Sequence, residues 1–366
     1  MPPENKAAWL RAPATPLSVG SAPYTPPGPQ ELVIKNGAVA INPVDWVIPD
    51  NRGMMFKWIK DPFILGTDVA GEVVEVGSAV KRFKVGDRVV SQACGVDEAF
   101  NDPTKGAFQL YTVLVDHMTS PIPPTLSFEQ AAVLPLAVST AACGLFLKDQ
   151  LALQLPTIPR PKATGKTVLI WGGATSVGCS AIQLAVAAGY EVITTSSPQN
   201  FELMKKLGAS QVFDYKSRTV VPDIIRAFKG KTTAGALTMG TGAVEACFDI
   251  LRQCHGDKFI SMATYPMPDP PPKTFVTART ILHFFSKQIE YWVKSKLRGI
   301  KLGTIFANTL IGKAVYVDFL GDALKDGSYI AAPEPDIVGH GLEAVNKGFE
   351  VSKKGVRARK VVVSLA

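Results

Sequence analysis

The sequence predicts an α/β protein, a β-rich segment followed by a doubly wound parallel sheet. Three observations predict it. Short alternating apolar runs bounded by glycine and proline fill residues 6–125. Strand and helix patterns then alternate over residues 166–264, as right-handed βαβ units do. A glycine turn, Gly172-Gly173-Ala174-Thr175-Ser176-Val177-Gly178, joins the first of those strands to the first helix.

In the first segment, Glu31-Leu32-Val33-Ile34-Lys35 and Glu72-Val73-Val74-Glu75-Val76 read as strands, and Val85–Val90 turns at Gly86-Asp87 into another. Gly106–Val113 reads as a strand too, before Pro121, Pro123 and Pro124 end the pattern. Ser127-Phe128-Glu129-Gln130 looks like a capped helix start, so the apolar stretch 131–147 is expected to be largely helical. After a proline-rich loop come strand Thr167–Trp171, helix Val177–Ala188, strand Glu191–Thr195 and helix Phe201–Leu207 capped by Asn200. Strand Gln211–Asp214 follows, then a helix around Pro222–Phe228 and a strand near Ala236–Met239. Helix Val244–His255 and strand Lys258–Ala263 complete the alternation. Pro266–Pro272 reads as loop, Thr280–Leu297 as helix, Ile300–Ala307 as the last strand of the sheet, and Lys360–Leu365 as a strand returning to the first domain. The expected domains are therefore 1–125 with 308–366, and 126–307.

With 366 residues and 46% hydrophobic content, the chain can bury two cores. No apolar run reaches the ~18–20 residues of a membrane span. The start, Met1-Pro2-Pro3-Glu4-Asn5-Lys6, has no apolar leader, so a secretory signal is not expected. Five scattered cysteines, with no C-x-x-C pair, read as reduced thiols of a cytoplasmic protein. The net charge of +8 allows an anionic partner. The densest basic run, Lys353–Lys360, lacks adjacent aromatic platforms, which argues against nucleic acid and for a basic surface near an anionic small molecule.

At the glycine turn, Gly173 and Gly178 hold the first and last positions of G-x-G-x-x-G, and Thr175 holds the middle one. A pyrophosphate there would meet backbone N–H groups and the positive end of a helix. Glycine turns before helices are common; the succession of βαβ units makes this one a dinucleotide site. The second strand ends Thr194-Thr195-Ser196-Ser197, and the nearby acid, Glu191, lies at its wrong end. Small hydroxyls leave room for a 2′-phosphate. Lys205, Lys206 and Lys216 are available cations and Tyr215 ends the next strand, so NADPH is expected over NADH.

The run Gly66-Thr67-Asp68-Val69-Ala70-Gly71 through Gly77, followed by Val85-Gly86-Asp87-Arg88-Val89, resembles the catalytic-domain signature of the medium-chain dehydrogenase/reductases. Zinc members carry His where this chain has Thr67. Their cysteine ligand falls on Asn42, in Asn42-Pro43-Val44-Asp45, and their third ligand falls on Leu136. Asn and Leu do not make a zinc site, which wants thiolate, imidazole or carboxylate. With Phe128–Pro135, Ser196–Phe201 and Phe213–Tyr215, the resemblance extends over about residues 6–365. It points to the zinc-independent quinone and enoyl reductase branch, and within that to fungal enoyl reductases acting in trans on polyketide synthases.

The resemblance implies a GroES-like domain split around a Rossmann domain. The residues taken to line NADPH are Asn42, Val44, Asp45, Thr140, Gly172, Gly173, Ala174, Thr175, Ser176, Val177, Gly178, Ser196, Ser197, Pro198, Gln199, Asn200, Tyr215 and Ala263. Those taken to touch substrate are Val133, Leu134, Pro135, Leu136, Ala137, Val138 and Ser139. No metal is expected. Asp68 is read as holding backbone or a basic side chain, Thr67 and Cys143 as packed residues, and His255 as a helix-end histidine suited to the dipole. No proton donor is identified: Trp46 to Ile64 contains no tyrosine, which leaves solvent or Lys57. The expected activity is hydride transfer from NADPH to an activated C=C bond, in a small enone or a carrier-bound enoyl thioester. A quinone reductase and a non-catalytic NADPH-binding regulator are the alternatives. The expected partners are that substrate and a polyketide synthase, with the chain a monomer or homodimer.

Overall fold

The computed structural model describes residues 3–266, 268, 276–305 and 309–365. The chain divides into two units, Met1–Ser139 with Gly312–Ala366, and Thr140–Ile311. The first boundary falls inside the helix Pro135–Phe146 rather than at residue 125. The reason is the short helix Phe128–Ala131, whose Ser127–Gln130 capping box is complete and which packs on the strands of the first unit. A Cβ on Gly37 would lie 2.2 Å from the Phe128 ring.

The first unit is built on a sheet ordered Glu334–His340, Arg359–Ser364, Glu31–Ala40, Asp68–Val76, Arg88–Gln92, Thr119–Pro121, with Tyr111–Val115 also paired to Glu31–Ala40. A smaller sheet joins Ser18–Ala22, Asn5–Leu10 and Phe63–Ile64. Alternation puts Leu32, Ile34, Val69, Val73 and Val89 into one core. Gly71 is needed for close pairing, since a Cβ there would come 2.2 Å from the Lys35 carbonyl oxygen.

Three readings of this half change. Gly106–Leu110 is not strand; the strand begins at Tyr111. The preceding residues bond backward instead, Ala107 N–H to Gly66 O at 3.0 Å and Phe108 N–H to Leu65 O at 2.9 Å. A helix, Pro43–Met55, stands in a region that reads as β-rich, despite Pro49 in its interior. The apolar stretch 131–147 breaks between Ala131 and Pro135, where proline starts a new helix. Phe128–Phe146 is by composition long and apolar enough to cross a membrane, but this interrupted pair is 72% buried, as core helices are.

The second unit holds a parallel sheet ordered Gln211–Asp214, Glu191–Ser196, Lys166–Trp171, Thr232–Thr238, Phe259–Met262, Lys301–Thr304. The chain steps outward in one direction from Lys166–Trp171 and then in the other. The switch point therefore lies at the carboxyl end of that strand, where α/β sheets bind ligands. The helices Ser176–Ala187, Val220–Ala227 and Ala243–Gln253 connect the strands, and Leu169, Ile193, Phe248, Leu251 and Ile260 share one core.

Local readings shift here as well. Asn200 makes no capping bond; it closes the 3-10 turn Pro198–Asn200, which runs into Phe201–Lys206. His255 is not helical. It forms with Gly256 a short strand paired in parallel to Thr232-Thr233, an approach so close that a Cβ on Gly256 would lie 2.4 Å from the Thr233 carbonyl oxygen. The late helix spans Val276–Arg298 and the last strand Lys301–Thr304, while residues 306–307 and most of 266–272 lie outside the described residues.

Candidate functional site

In the second unit, the turn after Lys166–Trp171 is held by its own hydroxyls. Thr175 caps the helix Ser176–Ala187, accepting the Gly178 N–H at 3.0 Å and donating to the Gly172 carbonyl oxygen at 2.9 Å. It thus stabilises the turn from the position where the pattern has a glycine. Gly172 donates to the Thr195 hydroxyl at 3.0 Å and Gly173 to the Thr195 carbonyl at 2.9 Å. Gly172 has φ +92°, which favours glycine. A Cβ on Gly173 would fall 2.3 Å from Thr194 Oγ1. The amides of Ala174, Ser176 and Val177 have no acceptor among the described residues. They lie at or just before a helix N-terminus, where backbone N–H groups suit a phosphate.

Strand pairing brings Ser196 opposite Asp214, so Ser197 and Tyr215 follow at adjacent strand ends. Ser196 donates to the Ser197 carbonyl, Tyr215 is exposed, and the Lys216 ammonium lies 5.7 Å from the Tyr215 ring centre. Asp214 is an acid at this edge that the strand-end reading overlooked. Its carboxylate accepts the Lys216 N–H at 3.0 Å, turned onto its own loop. Glu191 is held at the other end by Lys231, Thr167 and Ser210. Lys205 pairs with Glu202 at 3.0 Å. Pro198 and Gln199 are exposed, and Ala263 donates to the Thr238 carbonyl at a neighbouring strand end.

In the first unit, the three zinc-ligand positions enter a buried polar network. Asn42 Nδ2 donates to Thr67 Oγ1 at 3.0 Å and to Asp68 Oδ2 at 2.7 Å. The Lys360 ammonium donates to Asn42 Oδ1 and pairs with Asp68 Oδ2 at 2.9 Å. Asp68 Oδ1 accepts the Leu136 N–H at 2.6 Å. Lys360 is 5% exposed and Asp68 fully buried, so the pair is desolvated and each charge depends on the other. Asp68 thus holds both backbone and a basic side chain, as its sequence context predicts.

Asp45 begins the helix Pro43–Met55 by accepting the Asn42 N–H at 2.7 Å. Burial is the main reason its pKa rises to about 8; the Asn42 and Gly66 amides and Lys360 offset part of that. Val44 beside it is half-buried and packs on the first core.

Tyr316, from the π-helix Lys313–Leu320, donates to the Pro135 carbonyl at 2.7 Å and sits 2.9 Å from Ser139 Oγ. Its burial pushes the phenol pKa well above the ordinary value. The segment 133–139 is thus clamped at Pro135, Leu136 and Ser139. Val133, Leu134, Pro135, Ala137, Val138 and Ser139 are buried, whereas Leu136 and Thr140 are partly exposed. Sequence reasoning missed Tyr316 and Lys360. The only signal for Lys360 was a charge beginning an apolar strand. Cys143 is fully buried in its helix.

The halves of the chain match two family models. Residues 28–124 match the alcohol dehydrogenase GroES-like domain, and residues 176–294 the zinc-binding dehydrogenase model. The chain belongs to the medium-chain dehydrogenase/reductase family, as an enoyl reductase-like oxidoreductase with a GroES-like and a Rossmann domain. It is 56% identical to the dehydrogenase pigH of Monascus ruber, over 99% of this chain and 100% of that protein. It is 36% identical to the trans-enoyl reductase himH of Aspergillus japonicus, over 99% and 98%. The solved CurK enoyl reductase shares the fold, with TM-score 0.70 at 19% identity over 99% of each chain.

The family implies a nicotinamide cofactor, and the turn fits one: free amides, a capped helix start and a glycine whose side chain would fill the cradle. Zinc, named in the second family model, does not fit. At the ligand positions stand an amide that donates to its neighbours, a hydroxyl and an isobutyl group. The Lys360 ammonium already supplies a positive charge beside Asp68.

Proposed function

We propose that this chain is an NADPH-dependent reductase of activated C=C bonds, acting without zinc on a small enone or a carrier-bound enoyl thioester of the polyketide type. The observation that carries this reading is the Asn42–Asp68–Lys360 network in place of zinc ligands. An isolated ketone reduced without a Lewis acid forfeits several kcal/mol of charge stabilisation. A conjugated acceptor instead spreads arriving charge from its β-carbon to its carbonyl oxygen. The 36% identity to a protein named trans-enoyl reductase supports the same class.

Bound NADPH supplies the hydride. The amides of Ala174, Ser176 and Val177 would hold its pyrophosphate, and Ser197, Tyr215 and Lys216 its 2′-phosphate. Asp68 and Tyr316 hold the backbone of residues 135–136 in place. The enolate takes its proton from solvent, since Tyr316 is buried against Pro135 and Ser139 and Lys57 is an exposed surface residue.

The test is NADPH oxidation over enones, enoyl thioesters, simple ketones and quinones, using deuterium-labelled NADPH. Label at the β-carbon is expected. Label on the carbinol carbon of an unconjugated ketone reduced at a comparable rate would overturn the proposal. Turnover of quinones alone would replace it with a quinone reductase, and binding without turnover with a regulator. Elemental analysis of dialysed protein should give far less than one zinc per chain. Stoichiometric zinc removed by a chelator together with activity would overturn the zinc-free mechanism.

A further inference from the structure

The chain passes between its two units twice, after Ser139 and after Ile311. A helix meets each passage. Pro135–Phe146 runs through the first, and the π-helix Lys313–Leu320 begins directly after the second. Such π turns are rare and concentrate at functional sites. This one is seated against residues 117–121. At its two ends, a Cβ on Gly312 would lie 2.6 Å from the His117 carbonyl oxygen, and one on Gly321 2.8 Å from the Pro121 ring. Between them the Tyr316 carbonyl accepts Ser120 Oγ at 2.5 Å and Arg82 Nη2 at 3.4 Å. Arg82 is itself paired with Asp116 at 2.8 Å.

From that fixed base the Tyr316 ring reaches the other passage. Tyr316 and Ser139 are both fully buried. The phenol has one hydrogen, which goes to the Pro135 carbonyl at 2.7 Å, so the Ser139 hydroxyl at 2.9 Å donates to it. Pro135 and Ser139 lie one helical turn apart, on the same face. The phenol therefore brackets the first turn of Pro135–Phe146. Asp68 takes up the Leu136 N–H, one of the donors that a helix start leaves unpaired, at 2.6 Å. We infer that Tyr316 is a positioning residue for hydride transfer. Its phenol ties the chain at one passage to the chain at the other, and so gives residues 135–139 a single backbone conformation against the acceptor. This role rests on the reading of residues 133–139 as the substrate segment of a reductase. Packing alone would be served by phenylalanine. The hydroxyl is buried at the cost of its hydration, and it gains two bonds to one turn. Its hydrogen is committed to Pro135, so it directs geometry rather than supplying the proton.

Tyr316→Phe keeps the ring and removes both bonds. With the acceptor that the parent reduces fastest, its kcat should fall about tenfold, within the ~10²-fold that a misplaced reacting group costs. KM for the acceptor and Kd for NADPH should change less than about threefold, because ground-state binding is not what the phenol provides. Ser139→Ala should give a smaller fall in kcat. The double variant should be no slower than Tyr316→Phe alone, since Ser139 acts through the phenol. Amide hydrogen exchange should quicken at residues 136–140 and not at the turn Gly172–Gly178. A merely structural hydroxyl would lower the melting temperature and leave kcat of the folded protein unchanged, and that result overturns the inference. So does a double variant whose losses multiply, or unchanged exchange at residues 136–140. Ser139→Ala, which leaves the ring in place, carries the same test if Tyr316→Phe does not fold. Exchange requires no turnover, and the parent chooses the acceptor. Failure of the proposed C=C reduction would therefore show in the product panel and not in this comparison.

Discussion

The Gly172–Gly178 turn and the positions Asn42, Thr67 and Leu136 depart from the family signature in different ways. At the turn one residue changes, the middle glycine to Thr175, and the new hydroxyl rebuilds the local bonds, closing Gly172 to Gly178. Function at a turn is carried by backbone, so a side chain can change while amides keep their direction. At the zinc positions the side chains themselves were the function. Their replacement by Asn42, Thr67 and Leu136 leaves no equivalent ligand set. What remains is an internal cation, Lys360, that answers the buried Asp68 and through it fixes the Leu136 amide.

The comparison breaks most readily at Lys360. Lys360→Met leaves the Asp68 carboxylate buried without its counter-charge, which should cost about 3–5 kcal/mol of stability. Lys360→Arg should retain part of it, and the double change Lys360→Met with Asp68→Leu should recover stability relative to Lys360→Met alone. Thermal melts check this. A Lys360→Met protein that melts with the parent would show that the pair contributes nothing.

The turn should respond through the cofactor. Gly173→Val places a Cβ 2.3 Å from Thr194 Oγ1 and 2.8 Å from Met204 Sδ. The displaced turn should weaken NADPH binding about 10–100-fold, some 1.4–2.8 kcal/mol. Fluorescence titration measures it, and an unchanged Kd would sink the assignment of the turn. The bond reduced in residual turnover should stay the same.

A smaller effect is expected at the strand end. Ser197→Asp puts a negative charge where the 2′-phosphate would lie, and should shift the ratio of NADPH to NADH affinity about tenfold toward NADH. Equal dissociation constants for the two cofactors in the parent protein would contradict the choice of NADPH.

The mildest change is Asp45→Asn, which keeps an acceptor for the Asn42 N–H. Asp45 has its folded pKa raised from 3.8 to about 8, chiefly by burial. Between those values the native state holds a proton that the unfolded chain has released. Stability from this group is therefore full at low pH and is lost as pH rises toward about 8. Melting temperature against pH should fall less steeply over that window in the variant. An identical slope would mean that Asp45 does not titrate there.

Much of the fold was legible because the signals were local. Alternating apolar residues, glycine stops and the Ser127–Gln130 box each act within one element, and the βαβ succession determined the parallel sheet. Where local signals competed, the reading slipped. Gly106–Leu110 has strand-like composition but bonds back to Leu65 and Gly66, and Pro49 hid the helix Pro43–Met55.

From sequence alone came the two-domain α/β plan, the glycine turn between strand and helix and the absence of His, Cys and carboxylate at Asn42, Thr67 and Leu136, all questions of residue type and spacing. Tertiary structure alone decided what stands there instead. Lys360 reaches Asn42 across 318 residues and Tyr316 reaches Pro135 across 181. Nothing local to either residue names its partner. A buried carboxylate requires a counter-charge, and many lysines could have supplied one. The one that does is the one whose strand, Arg359–Ser364, pairs beside Glu31–Ala40 and carries its ammonium to Asp68.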